Sequence, residues 1–451
     1  MGWDQIKERL DALLASGRHG ELRGALMMLN EVDIAEYLTT LNTEQLLIVF
    51  RVLPKDISAD VFAYMDNEQR QQLVEAIGDN EVCSLIDKMF IDDAVDFLEE
   101  MPATVVKRVL AGASEQKRKL INQFLRYPDN SAGSIMTIEY GEFHAGVTVK
   151  DAMTELKRTG IDKETIYTLY VIDDKRHLIG TLPLRRLIMA ADDTLIDSLM
   201  ETNVISVRTL DDQEVVADTV RKYDLVSIPV VDNENRLVGI VTIDDIVDVI
   251  EDENTEDFEK MAALLPSDSE YLKTSSFKLA LNRIPWLLLL MVSAMFTGMI
   301  ITNYETLLNS SAVGIMLTAC IPMMMDTGGN CGSQASTLAI RGLALGEIEF
   351  RDLFRVLWKE LRVGLICGFV LAVVNFGRLI LLNHQTVSVA AVVAVSMYLT
   401  VIFAKSIGCT LPMLAKKAKL DPALMASPLI TTIVDACSLM IMFTIATKVL
   451  L

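Results

Sequence analysis

Basic side chains are scarce in this sequence of 451 residues. Lys and Arg number 41 against 61 Asp and Glu, a formal net charge of −20. DNA and RNA partners require a basic surface, so a nucleic-acid-binding protein is excluded. Cysteine is sparse as well. Cys83, Cys320, Cys331, Cys367, Cys409 and Cys437 form no Cys-x-x-Cys pair, and five of them lie in the second half. That pattern suits neither a disulfide framework nor a zinc site, and reads as small buried hydrophobes. The four histidines, His19, His144, His177 and His384, stand beside no nucleophile in a recognisable arrangement, so no enzyme chemistry is legible. A signal peptide is missing at the start. Met1-Gly2-Trp3-Asp4-Gln5 opens straight into a polar helical pattern, which predicts a cytoplasmic front half.

What is present divides near residue 272. Residues 1–272 hold 53 acidic and 27 basic side chains, a balance of −26, whereas residues 273–451 hold 8 and 14, a balance of +6. An acidic front half joined to an apolar back half predicts a membrane protein with a large water-soluble portion.

Residues 3 to about 127 read as helices throughout, with apolar residues such as Ile6, Leu10, Leu13 and Leu14 at helical spacing. A weak repeat runs through Ala35–Leu41, Ala59–Met65 and Val95–Met101, each followed by a polar turn and another apolar helix. Such repeats are helix pairs that bury their faces by stacking. The acid at the second position recurs as Glu36, Asp60 and Asp96, which suggests one acidic stripe down the stack, or simply a solvated face.

From Ala132 the pattern alternates strands and helices in two copies about 60 residues apart. The first includes Ser134-Ile135-Met136-Thr137, a helix near Val149 to Thr159, then Thr168–Asp173 and Leu178–Leu182. The second includes Ser198-Leu199-Met200, a helix near Val215 to Tyr223, then Ser227–Asp232 and Leu237–Val241. The shared order resembles a tandem pair of CBS domains over Ser134 to Ile250. A charged helical stretch from Glu251 to Lys260 then leads toward the apolar half.

A membrane-spanning helix needs about 20 mostly apolar residues. Ile284–Tyr304, Thr306–Met325, Val363–Leu382, a stretch within Val387–Leu414, and Ala423–Thr447 give five spans. With the N-terminus inside, the outer loops Asn303–Ser311 and Asn383–Val387 carry no Lys or Arg. Arg341, Arg351, Arg355, Lys359, Arg362, Lys416, Lys417 and Lys419 all fall on the inner side, as the positive-inside rule demands. The C-terminus is then expected outside.

Asp435 has twelve uncharged residues on each side and is placed near the bilayer midplane. An isolated Asp there costs about 2.5–3.5 kcal/mol on insertion scales and normally faces water or a partner. A buried salt bridge to Lys405 or Arg378 is the plain alternative. Ser427-Pro428 breaks the start of the helix, and Thr431-Thr432 precede Asp435 by three to four residues, so oxygens share one helical face. Carboxylate, hydroxyl and carbonyl oxygens suit hard divalent cations, magnesium keeping much of its water. In Pro322–Gln334, one Pro and three Gly are expected to open the backbone at the end of the second span. Bare carbonyls at that depth are tolerated only inside protein or facing water; a flexible loop without a transport role is the alternative.

Together these features resemble the MgtE family of magnesium channels along essentially the whole chain, most specifically at Pro322–Gln334 and Ser427–Asp435. The resemblance implies a multidomain membrane protein: an all-α helical-repeat domain (1–130), an α/β CBS-domain pair (131–250), a connecting helix and linker (251–278), and a five-helix α transmembrane domain (279–451). It implies a homodimer in the cell inner membrane that imports Mg2+, with Asp435 and its copy from the other subunit forming the cation site. It also implies a gate closed by magnesium at acidic interfaces. Those match Asp60, Asp92 and Asp96 in the helical domain, Asp212, Glu214 and Asp224 in the CBS pair, and Asp245, Asp248, Glu253, Glu256 and Asp257 along the connecting helix. Like charges in the −26 portion repel unless cations neutralise them, so bridging divalent ions favour a compact state.

Some family members bind ATP between their CBS domains. The second copy has the nucleotide pattern Gly239-Ile240-Val241-Thr242-Ile243-Asp244-Asp245. The first has Pro183 for Thr and Arg186 for Asp, which argues against ATP here. Ser427 stands where some members have Asn, a change that bears on selectivity. Two other readings stay open: an exchanger coupled to sodium or protons, and a membrane-anchored CBS sensor without transport.

Overall fold

The computed structural model describes residues 2–55, 57–267, 271–272, 274–305, 308, 312–425 and 427–450, and separates into two compact units, residues 1–250 and 251–451.

The first unit opens with helices α1 (Trp3–Ala15), α2 (His19–Leu26), α3 (Glu31–Thr39), α4 (Thr43–Val52), α5 (Ile57–Ala63), α6 (Asn67–Ala76), α7 (Asp79–Ile86), α8 (Ile91–Glu99), α9 (Ala103–Gly112) and α10 (Glu115–Phe124). Their boundaries follow local chemistry. Asn42 and Gln45 form a reciprocal capping box at α4, and Asp66 and Ser114 accept backbone N–H groups at the starts of α6 and α10. Helices this short are marginal alone, so packing holds them. Phe62 sits edge-on to both Phe50 and Phe97, at centroid distances of 6.4 and 5.1 Å, in one row through the stack. The expected acidic stripe does not form. Glu36 is exposed and tied to Trp3 and Lys7, whereas Asp96 faces other carboxylates.

Two three-stranded sheets follow. In the first, β1 (Tyr140–His144) runs parallel to β2 (Thr165–Ile172), which pairs antiparallel with β3 (Leu178–Pro183). In the second, β4 (Val207–Arg208), β5 (Ser227–Val231) and β6 (Leu237–Thr242) repeat that arrangement. Helix α11 (Val149–Thr159) and the short α12 (Leu184–Met189) belong to the first copy, and α13 (Gln213–Tyr223) to the second. The opening segment of each copy is not a strand of its own sheet. Thr137 bridges to Ile240 in the second sheet, while Glu201, just after Ser198-Leu199-Met200, bridges to Thr181 in the first. The glycines explain the exchange. Met136 packs on Gly239 and Met200 on Gly180, where any Cβ would collide with the Met side chain. One hydrophobic core runs from the helical stack into the second copy, joining Phe124 and Ile121 to Met136, Val216 and Ile228.

Helix α14 (Ile243–Met261) begins in the first unit and ends in the second. The second unit then contains α15 (Ser276–Asn303), α16 (Ala312–Ala344), α17 (Leu353–Leu381), α18 (Val387–Lys417) and α19 (Ser427–Leu450). Among the described residues four segments are long and apolar enough to cross a membrane: α15, α17 with its preceding turn, α18, and α19 with its preceding turn. The fifth expected span falls on α16, whose 33 residues extend about 50 Å at 1.5 Å per residue. Of the first outer loop, residues 306, 307 and 309–311 lie outside the described residues, as does the side chain of Ser427. Helix α18 is the buried centre, with Val393, Met397, Val401 and Ala404 packed among its neighbours. By contrast, α15 is almost entirely exposed.

The helices overshoot the expected spans. Arg341 lies on α16, and Arg355, Lys359 and Arg362 lie on α17, so these positive charges decorate helix ends rather than loops. Pro322–Gln334 also differs from expectation: α16 runs through it unbroken. Its glycines serve close packing instead of an open backbone. A Cβ on Gly328 would press on Thr400 and Val434, and one on Gly332 would lie 2.8 Å from Ile430. Gly408 of α18 sits directly against the Gly332 carbonyl. Small residues let membrane helices approach this closely.

Candidate functional site

Asp435 lies in the ninth position of α19 and is half-buried. Among the described residues it forms no ion pair within 4.0 Å. Lys405 instead approaches Glu360 at 4.0 Å, and Arg378 donates to Asn375 Oδ1 at 3.1 Å. The salt-bridge alternative therefore does not account for Asp435. Thr431 and Thr432 both donate to the Pro428 carbonyl, at 3.0 and 2.9 Å, which leaves their hydroxyl lone pairs available as acceptors. Across from Asp435 is Gly329, where an added Cβ would stand 3.8 Å from Oδ1.

The same face of α16 carries a second carboxylate. Asp326 is exposed, accepts a hydrogen bond from Asn330 Nδ2 at 3.1 Å, and its charge acts on Asp435. The spacing Asp326, Gly329, Asn330 puts all three on one stripe. Sequence reasoning passed over Asp326 because it lay in a segment read as open backbone. The signal that singled out Asp435, an acid inside an apolar stretch, was present there too.

The second cluster lies in the first unit, where two helix N-termini each present an acidic doublet. Asp92 and Asp93 open α8, and Asp244 and Asp245 open α14. The positive ends of helix dipoles favour carboxylates at these positions. Asp92 is 7% exposed, and burial pushes its carboxyl well above the ordinary range, with Asp93, Asp245 and Glu164 adding like charge. Burial also raises Asp93 to about 6, although Arg70 pulls it down. Asp245 is pushed up to about 6 by burial, although Thr242 Oγ1 donates to it at 2.6 Å. Burial, then Asp244 and Asp93, push Glu164 up to about 7, and among the described residues its buried Oε2 has no hydrogen-bond partner. Lys117 brings an ammonium to this region; it donates to the Met89 carbonyl at 2.6 Å, and burial lowers its pKa.

Of the residues named from sequence, this cluster gathers Asp92, Asp96 and Asp245, with exposed Asp60 acting on Asp93. Asp248 is exposed one turn further along α14. Asp93, Glu164 and Asp244 were missed; Glu164 joins only through the fold, but the two doublets were visible as pairs. The chain does not bring Asp212, Glu214 and Asp224 together. Asp212 caps the start of α13 and accepts the Glu214 N–H at 2.9 Å, while Asp224 ends that helix with φ +52°. Eleven helical residues separate these ends by roughly 16 Å.

Glu253, Glu256 and Asp257 lie on the second half of α14. Glu256 accepts Lys260 Nζ at 2.6 Å, and the same Nζ reaches Asp421 at 2.7 Å. Burial raises the Asp257 carboxyl, and the Asp421 charge adds to that rise. Among the described residues no three His, Cys, Asp or Glu side chains converge as a ready-made coordination shell. The donor set is all oxygen and loosely spaced, which fits a hard cation that keeps its water and is bound by one or two carboxylates.

Comparison with known proteins agrees with this division. A family model described as a divalent cation transporter, MgtE, matches residues 321–445. The model of the MgtE intracellular N domain matches 29–130, and a CBS domain model matches 196–252. A magnesium transporter MgtE of Thermus thermophilus is 34% identical over 447 residues, 98% of both chains. One from Bacillus subtilis is 33% identical over 451 residues, 99% of this chain and 98% of its own. The crystal structure of the cytosolic domain of the Mg2+ channel MgtE in complex with ATP is 34% identical. It covers 54% of this chain and 99% of its own, with a TM-score of 0.52. Identity above 30% along nearly the full length of both partners, together with a matched order of domains, places the chain in the MgtE family of divalent cation transporters.

Proposed function

We propose that the chain is a passive magnesium channel that admits Mg2+ across the cell membrane and is closed by cytosolic Mg2+. The observation that carries this reading is Asp435, a carboxylate in the middle of an apolar helix, half open and, among the described residues, without a basic partner. A charge at that depth normally serves a water-filled path. Asp326 adds a second negative charge from the neighbouring helix, and the pair attracts a dication without stripping its hydration shell. Two copies of the chain would set two such faces against each other. The half-open position of Asp435 and the exposed surface of α15 support a homodimer in the lipid bilayer.

Regulation is assigned to the acidic groups. Asp60, Asp92, Asp96, Asp245 and Asp248 form one sensing region, and Glu253, Glu256 and Asp257 a second. Asp212, Glu214 and Asp224 are surface carboxylates that meet a bridging cation only with groups beyond their own helix. Cytosolic magnesium neutralises the sensing carboxylates and favours the compact, closed state by its differential affinity. The N-terminal unit faces the cytoplasm in this reading, and the C-terminus lies outside. ATP is left out of it. Arg186, at the acidic position of the nucleotide pattern, is tied to Glu201 at 2.6 Å and to the Leu199 carbonyl at 3.1 Å, and Asp245 faces other carboxylates.

The test is magnesium uptake into proteoliposomes, with and without sodium and proton gradients, for wild type and Asp435→Ala. Uptake down the magnesium gradient alone, lost in the variant, supports the channel. A requirement for a counter-gradient makes it an exchanger, and no uptake by either protein favours a sensor.

A further inference from the structure

We propose that the ε-ammonium of Lys260 is a built-in cation that clasps the end of α14 to the base of the Asp435 helix, and that this clasp sets how much magnesium the gate needs to close. The inference rests on the channel reading above and deepens its regulation.

The geometry is specific. Lys260 lies in the last turn of α14, is 20% exposed, and bridges Glu256 at 2.6 Å and Asp421 at 2.7 Å. The two carboxylates hold it charged, raising its pKa against the cost of burial. Asp421 is anchored in turn: its Oδ1 accepts the Ala423 N–H at 2.8 Å and so starts the short turn Pro422–Met425 that leads into α19. The Met425 carbonyl accepts Ser336 Oγ of α16 at 3.0 Å. From Ser427 to Asp435 is eight residues, about 12 Å along a helix. Displacement at Asp421 is therefore delivered to the helix that carries the ion site. On the other side of the clasp, the chain after α14 is folded back by Ser267 N–H on Glu259 at 2.8 Å and by Leu265 N–H on the Asn282 carbonyl at 3.1 Å.

Charge gives the clasp its regulatory meaning. Glu256, Asp257 and Asp421 bring three negative charges to this joint, and burial, then the Asp421 charge, raise the Asp257 carboxyl. Without a cation they would push α14 away from the base of α19. Lys260 supplies one positive charge at fixed effective concentration, whatever the cytosolic magnesium level. Magnesium then has less repulsion to overcome, so the closed state needs fewer bound ions.

The experiment uses the full chain in proteoliposomes, comparing wild type, Lys260→Gln, Lys260→Arg and the swap Lys260→Asp with Asp421→Lys. Two quantities are measured: the cytosolic-side magnesium concentration that halves uptake, and hydrogen exchange of the amides at residues 259–265 without metal. In Lys260→Gln the half-closing concentration is expected to rise roughly two- to fivefold, the range of a partly exposed ion pair. Exchange at 259–265 should quicken, and the Arg variant and the swap should restore both. Unchanged closing in Lys260→Gln overturns the gating role even if exchange quickens, and unchanged exchange overturns the clasp itself. If wild type shows no uptake, the channel reading fails, and the exchange result alone decides whether the clasp exists.

Discussion

The two halves of this chain treat carboxylates in opposite ways. In the first unit acids are crowded. Asp92, Asp93, Asp245 and Glu164 share one region at two helix N-termini, and burial lifts them so that protons compete with cations there. In the second unit some acids lie beside a cation: Glu360 approaches Lys405, and Glu256 and Asp421 share Lys260. Asp435 and Asp326 are the contrast: the Asp326 charge acts on Asp435, and among the described residues neither forms an ion pair within 4.0 Å. A crowded set of tunable acids suits sensing, because several weak sites act together. Two neighbouring acids with no ion pair among the described residues suit transit, because an ion must also be able to leave.

The comparison can be broken most severely at Asp435. Asp435→Ala should cut magnesium uptake in proteoliposomes by about 100-fold or more, by analogy with losing a charged group that acts only on the ion in transit. Asp326→Asn should lower uptake by a smaller factor, about tenfold, since one charge of the pair remains; uptake equal to wild type would remove Asp326 from the path.

The close crossing of α16 and α18 offers a stability test. Gly332→Ala drives a methyl to 2.8 Å from Ile430, an overpacking that should cost about 1–3 kcal/mol. Thermal unfolding in detergent would register it, and a midpoint equal to wild type would mean that the helices are further apart than described.

The first unit can be sharpened by pH. Asp93 and Asp245 at about 6 and Glu164 at about 7 are raised above the values these carboxyls have when unfolded. Stability from such groups is present at low pH and is lost as pH rises through the folded-state value. Without magnesium the melting temperature of the protein should therefore fall from about pH 4, the ordinary carboxyl value, to about pH 7. Magnesium should restore it more at the upper end, where protons no longer compete. A magnesium effect of the same size at both ends would show that these acids do not bind the ion.

Much of this was legible in the sequence because it rested on local pattern. The helical front and the paired strand–turn–strand units follow from periodicity, the apolar spans from their uncharged length, and Asp435 stood out by its isolation. What stayed hidden depended on contacts distant in sequence. Glu164 meets Asp92 only once the helical domain and the first CBS copy have folded together, and Lys260 meets Asp421 across 161 positions. The glycines of Pro322–Gln334 were misread for the same reason. Gly signals either an open backbone or a close neighbour, and only the positions of Ile430, Val434 and Gly408 show that here it is the neighbour.

The most direct measurement is magnesium uptake into proteoliposomes over a range of cytosolic-side magnesium, for wild type, Asp435→Ala, and a chain with Asp92, Asp96, Asp245 and Asp248 all replaced by Ala. Separate roles for the two regions require that wild type closes as magnesium rises, that the fourfold variant stays conducting, and that Asp435→Ala conducts at no concentration. A fourfold variant that closes like wild type, or an Asp435→Ala channel that still conducts, would contradict it.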